Sequence, residues 1–218
     1  MKIVVLKFGG TSVGTIEKIK KIADIIHSFK KKNYKIIVVS SAMSGVTNDL
    51  VQKSKKISEN FSEAEYDVLV SSGEQIACSL IAGRLIHKGF KSRSWLAWQI
   101  PIFTKGIHKN SRINSIYKNK ILKYLKENGI PIIAGFQGIN NQERITTIGR
   151  GGSDASAIML AKFFKAQRCI IYTDVEGIYT TDPNKLNEAK KIKVISYEEM
   201  LNLSLYHLQI YFELPYLH

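Results

Sequence analysis

No part of this sequence keeps apolar side chains together for the roughly 20 residues a membrane-spanning helix needs, so no membrane partner is expected. The apolar run at residues 3–6 ends at Lys7 and two glycines, too early for the core of a secretory signal, and it reads as a strand. Cysteine is scarce. Cys78 and Cys169 each sit among apolar neighbours, which suits reduced, buried thiols rather than a disulfide framework, and a cytoplasmic setting is the expectation. Arginine is scarce too, with 6 Arg against 26 Lys in a net charge of +14. Nucleic-acid readout leans on arginine forks and stacked aromatics. The lysines here are instead spread along helical segments, as at Lys18, Lys20 and Lys21 and again at Lys118, Lys120 and Lys123. A solvated basic surface is therefore expected, with no nucleic-acid partner; a basic nucleic-acid-binding module is the weakest of the alternatives. No G-x-x-x-x-G-K-[ST] loop, dinucleotide fingerprint, internal repeat or low-complexity linker occurs. His27, His87 and His108 lack partners at metal-ligand spacing, so no dedicated metal site is expected.

What is present is an alternation of strands and helices within 218 residues, enough for one sizeable core. Residues 2–8 form a continuous apolar strand. Ile16, Ile19, Ile22, Ala23, Ile26 and Phe29 then recur at helical spacing. Residues 35–41 form a second buried strand. A polar helix is expected over about 48–70 and another from Gly73 to about Gly89. Residues 95–99 and 130–134 read as strands, and 143–148 as a hairpin strand after Asn140-Asn141. A helix over 153–166 and a strand over 169–173 follow. This order predicts an α/β fold with a mostly parallel sheet covered on both faces. Right-handed crossovers bring the loops at 9–12, 40–47, 135–138 and 174–182 to one edge, where such sheets bind ligands.

Three segments carry chemistry. Lys7 stands at a strand end before Gly9-Gly10-Thr11-Ser12 and a helix, a setting in which backbone amides and a helix dipole can meet phosphate. A plain strand–turn–helix with Thr11 or Ser12 as cap explains the same residues. Gly149-Arg150-Gly151-Gly152-Ser153-Asp154 opens another helix and joins an anion fork, bare amides and a carboxylate. Residues 173–183 place Asp174 after a buried strand and offer the flat face of Tyr179 to a base or sugar, although Asp-x-x-Gly and Asp-Pro also make ordinary turns. Trp95 and Trp98 read as packing residues, and Cys78 as a packed small residue rather than a nucleophile.

Together these segments resemble the aspartate kinases of the amino-acid kinase superfamily. The matching pieces are KFGGTSV, SSAMSGVTNDL, SSGEQIACSLIAG, SRSWLAWQIPI, GFQGI, TIGRGGSDASA and TDVEGIYTTDP, in order from residue 7 to residue 183. The resemblance implies a three-layer αβα sandwich of the carbamate kinase-like type and an activity that converts ATP and L-aspartate to ADP and 4-phospho-L-aspartate. That step stands first in lysine (diaminopimelate), threonine and methionine biosynthesis. ATP is then a co-substrate, with Mg²⁺ carried on it, and a homodimer is implied. By the same resemblance Lys7 and Asp154 are catalytic, while Thr47, Glu74, Arg150 and Ser153 hold aspartate. Lys7, Gly9, Gly10, Ser41, Thr173, Asp174 and Tyr179 hold ATP.

The ending departs from that pattern. After Leu201 the family continues through a small-residue run bearing a nucleotide-contacting lysine; here Gln209 falls near that place, and Asn184 stands where arginine is frequent. The expectation is an incomplete catalytic domain over 1–201, a divergent tail over 202–218 and no regulatory ACT domain. An inactive remnant that binds nucleotide or a partner is the alternative.

Overall fold

The computed structural model describes residues 1–149 and 151–173, with the backbone of two short strands at 178–179 and 191–192. The expectations placed on Arg150, on the side chains of Asp174 and Tyr179, on Asn184 and on residues 202–218 lie outside that set. β1 (Ile3–Phe8), α1 (Ile16–Lys31), β2 (Lys35–Ser40), α2 (Val46–Ile57) and α3 (Glu63–His87) open the chain. They are followed by β3 (Ser92–Trp95), β4 (Ile102–Lys105), β5 (Arg112–Ile116), α4 (Asn119–Lys126) and β6 (Ile130–Ala134). β7 (Gln137–Ile139), β8 (Ile145–Thr147), α5 (Gly152–Phe163), β9 (Arg168–Tyr172), β10 (Ile178–Tyr179) and β11 (Lys191–Ile192) complete the order.

The main sheet runs β3-β6-β2-β1-β9, and every pairing in it is parallel. Its strands read as unbroken apolar runs because both faces are covered. In β1, Val4, Leu6 and Phe8 face α1 and α3, while Ile3 and Val5 face α4 and α5. Period two therefore puts Lys7 on the α5 side, and this register delivers the lysine to its partner. The αβα layering and mainly parallel sheet are those expected. α1 seals one face with Ile19, Ile22, Ala23 and Ile26, each buried isoleucine stabilising the fold by roughly 1.5–3 kcal/mol. Its cap is Thr15, whose hydroxyl accepts from the Lys18 amide, rather than Thr11 or Ser12. The chain first spends residues 9–14 in a turn in which the Ser12 and Val13 amides both donate to the Gly9 carbonyl.

Three further boundaries differ from expectation. The polar helix expected over about 48–70 ends at Ile57, as α2, before α3 starts at Glu63. The second predicted helix does not begin at Gly73: α3 runs unbroken for 25 residues, with Glu74 near its middle instead of at its start. Gly73 is there for close approach. A Cβ at that position would lie 2.8 Å from the Ala42 Cβ and 3.1 Å from Val46 Cγ1, so α3 packs directly on the loop after β2. The strand expected at 95–99 ends at Trp95, because the Gln99 side-chain carbonyl takes the Leu96 amide and closes a turn. A second sheet, β5-β4-β7-β8, contains the predicted hairpin strand as β8, whereas β4 and β5 are too short for their alternation to register in sequence. Among the described residues no helix is long and apolar enough to cross a membrane.

Candidate active site

The C-terminal ends of β1, β2 and β6 face a cleft of about 540 Å³, closed on its other sides by α2, α3, β8 and the start of α5. Lys7 enters from β1. It is only 6% exposed, and its Nζ lies 2.7 Å from Asp154 Oδ1 in the first turn of α5. A lysine so buried keeps its charge only with such a partner. Beside it the Gly9 amide donates to the Tyr172 carbonyl at 2.9 Å, tying the glycine turn to β9.

Glu74 projects from α3 and is 3% exposed. The Ala42 backbone lies close enough to oppose the rise in its pKa, and Oε2 has no hydrogen-bond partner among the described residues. Burial pushes its pKa from 4.5 up to about 8, against the opposing pull of the Ala42 amide and the Lys7 charge. The carboxyl is thereby biased toward its protonated form. The two thiols take no part. Burial, and then the Asp154 charge, push Cys169 up to about 12; burial, and then Glu74, raise Cys78 as well.

Of the residues expected from sequence, Lys7, Gly10, Ser41, Thr47, Glu74, Ser153 and Asp154 line this one cleft. Gly9 lies behind it, its α-carbon side turned to Lys7 Nζ. Thr173 lines a separate, smaller hollow of about 260 Å³ with Phe8, Thr11 and Tyr172. The structure adds Asn48, Tyr66, Lys109 and Thr147, which sequence reasoning did not single out. It also shows Asp67, fully buried, bonded to His108, to the Lys109 amide and to the Thr147 hydroxyl. His108 lies 2.6 Å from this acid, a contact that the absence of metal-ligand spacing in the sequence did not address. The one signal in the sequence was spacing, since Asp67 precedes Glu74 by two helical turns on the same face.

The cleft joins a paired cation, a buried acid and the N-termini of α2 and α5, all at one sheet edge. It can hold an anion near Lys7 and a cationic group near Glu74.

The model of the amino acid kinase family matches residues 2–211. The aspartokinase of Rickettsia conorii is 52% identical over 207 residues, which is 94% of this chain and 52% of that protein. E. coli aspartokinase III, solved in complex with aspartate and ADP, superposes with a TM-score of 0.74 at 29% identity over 88% of this chain and 54% of that one. Aspartate kinase from Synechocystis gives 0.74 at 39% identity, over 92% of this chain and 33% of that one. This chain spans about half the length of the curated relatives it matches.

Proposed function

Because this chain belongs to the amino acid kinase family, we propose that its cleft transfers the γ-phosphoryl group of ATP to the side-chain carboxylate of L-aspartate, releasing ADP and 4-phospho-L-aspartate. The observation that carries the reading is the pairing, in one cleft, of the buried Lys7–Asp154 ion pair with a buried Glu74 oxygen that has no partner among the described residues.

The roles follow from charge. The attacking carboxylate is ionised at neutral pH, so no general base is needed. One of its oxygens bonds to the γ-phosphorus as the bond to the β,γ-bridging oxygen breaks, and ADP leaves with that electron pair. Lys7 lies against the transferring oxygens and offsets their charge, with Mg²⁺ arriving on the nucleotide. Asp154 orients the Lys7 ammonium. Glu74 receives the substrate ammonium and gives up its proton on doing so. Thr47 and Ser153 flank the amino acid together with Arg150, whose guanidinium suits its α-carboxylate. Ser41 and the Gly9-Gly10 turn face the phosphates, and Thr173, Asp174 and Tyr179 serve the nucleoside. As in the likeness to aspartokinases, the product enters lysine, threonine and methionine synthesis in the cytoplasm, and the protein works as a homodimer.

ADP release from ATP, followed with L-aspartate, with L-glutamate and with neither, tests the reading. Release that depends on L-aspartate is expected. Nucleotide binding without any amino-acid-dependent release would leave a binding remnant in its place.

A further inference from the structure

Asp67 belongs to no step of the proposed transfer, yet both its oxygens accept hydrogen bonds. It is fully buried. The Thr147 hydroxyl donates to Oδ1, the Lys109 amide donates to both oxygens at 3.1 Å, and His108 Nδ1 lies 2.6 Å from Oδ2. A buried carboxylate is tolerated only where its lone pairs are filled, and here two separate chain segments fill them.

Both of those segments are walls of the cleft. Thr147 and Lys109 line it directly. The Thr147 carbonyl accepts from the Ser111 amide at 2.9 Å, which fastens the end of β8 to the 107–111 turn. Two residues on, Gly149, at φ +74°, disfavours a side chain and packs tightly: a Cβ there would sit 3.1 Å from Asn110 Oδ1 and 3.2 Å from the Lys109 carbonyl. The Gly149 carbonyl then accepts from the Gly152 amide at 3.1 Å, at the start of α5 with Ser153 and Asp154. A continuous set of contacts therefore runs from Asp67 through Thr147 and Lys109 to the helix start that carries the Lys7 partner. Glu74 rides on the same α3, two turns further along.

We infer that Asp67 is a positioning residue for the amino-acid end of the cleft: it fixes the wall formed by Lys109, Thr147 and Gly149 at a set distance from Glu74. The inference rests on the kinase reading for its choice of ligand, but not for its structural content. An Asn at position 67 keeps the shape and one acceptor oxygen, yet turns an N–H₂ toward groups that donate. His108 can adapt by changing tautomer; the Lys109 amide, which donates to both oxygens of Asp67, keeps one acceptor and meets an N–H₂ in place of the other.

Hydrogen exchange on the full chain, with and without Asp67→Asn, is the first test. Amides at 107–111 and 147–153 should exchange about tenfold faster or more, while those of β1, β2 and α1 keep their rates. Unchanged exchange at 147–153, or an equal rise throughout the sheet, would overturn the inference. Titration with L-aspartate and with ATP is the second. Asp67→Asn should weaken L-aspartate about tenfold or more and ATP by less than about twofold, and His108→Ala, at the partly exposed rim of the network, should give a smaller loss in the same direction. Equal weakening of both ligands would overturn it. If the loop loosens as expected but the unaltered protein binds no L-aspartate, the positioning role stands and the kinase reading fails.

Discussion

Lys7 and Asp154 meet at 2.7 Å across the junction of β1 and α5, two elements separated by most of the chain. The strand register turns Lys7 toward α5, and the helix start turns Asp154 toward the strand. Each charge offsets the other there, so the pair ties the strand end to the helix start.

Asp154→Ala should therefore destabilise the fold by about 3 kcal/mol, since it leaves the Lys7 ammonium buried and unpaired. Urea unfolding measures the loss. A change below about 1 kcal/mol would mean that solvent reaches Lys7 far more than its burial indicates.

Glu74 imposes a pH dependence. Its folded pKa of about 8 lies above its ordinary 4.5, so between those values the folded protein holds a proton that the unfolded chain has released. Stability of the ligand-free protein should fall as pH rises from 5 to 8, at up to about 1.4 kcal/mol per unit. Glu74→Gln should flatten that slope. Urea midpoints at pH 5 and pH 8 make the comparison, and parallel slopes would count against the buried acid.

Ammonium binding at Glu74 should expel that proton. Calorimetry of L-aspartate binding at pH 7, in buffers of different ionisation enthalpy, should report proton release by the unaltered protein and none by Glu74→Gln. An apparent enthalpy independent of buffer would place the ammonium elsewhere.

Gly73→Ala tests how α3 seats on the cleft. The added methyl would meet the Ala42 Cβ at 2.8 Å and Val46 Cγ1 at 3.1 Å, forcing α2 and its Thr47 outward. A stability loss of about 1–3 kcal/mol is expected, as for other overpacked contacts. A neutral result would mean that the loop after β2 gives way without cost.

Most of the layered sheet was legible in sequence because its strands and α1 obey simple periods: β1 and β2 are unbroken apolar runs, and Ile19, Ile22 and Ile26 mark one face of a helix. α3 was misread at Gly73 because a glycine required by packing has the same letter as one that ends a helix. β4 and β5 escaped because four or five residues broken by a turn carry too little alternation. In the cleft, Lys7 and Asp154 stood out because each sits in a dense, chemically unusual segment, whereas Glu74 came only from the resemblance to a family. Asp67, His108 and Thr147 did not, since their relationship exists only once α3, the 107–111 turn and β8 have come together.

Phosphoryl transfer at Lys7 to the side-chain carboxylate of L-aspartate would leave an acyl phosphate as its product. An acyl phosphate is captured by hydroxylamine as a hydroxamate, so ATP, L-aspartate and hydroxylamine incubated with the protein test it directly. Hydroxamate should form with the unaltered chain and fall by about a thousandfold or more with Lys7→Met. Hydroxamate that forms equally with Lys7→Met, or ATP consumption that proceeds equally without L-aspartate, would contradict it.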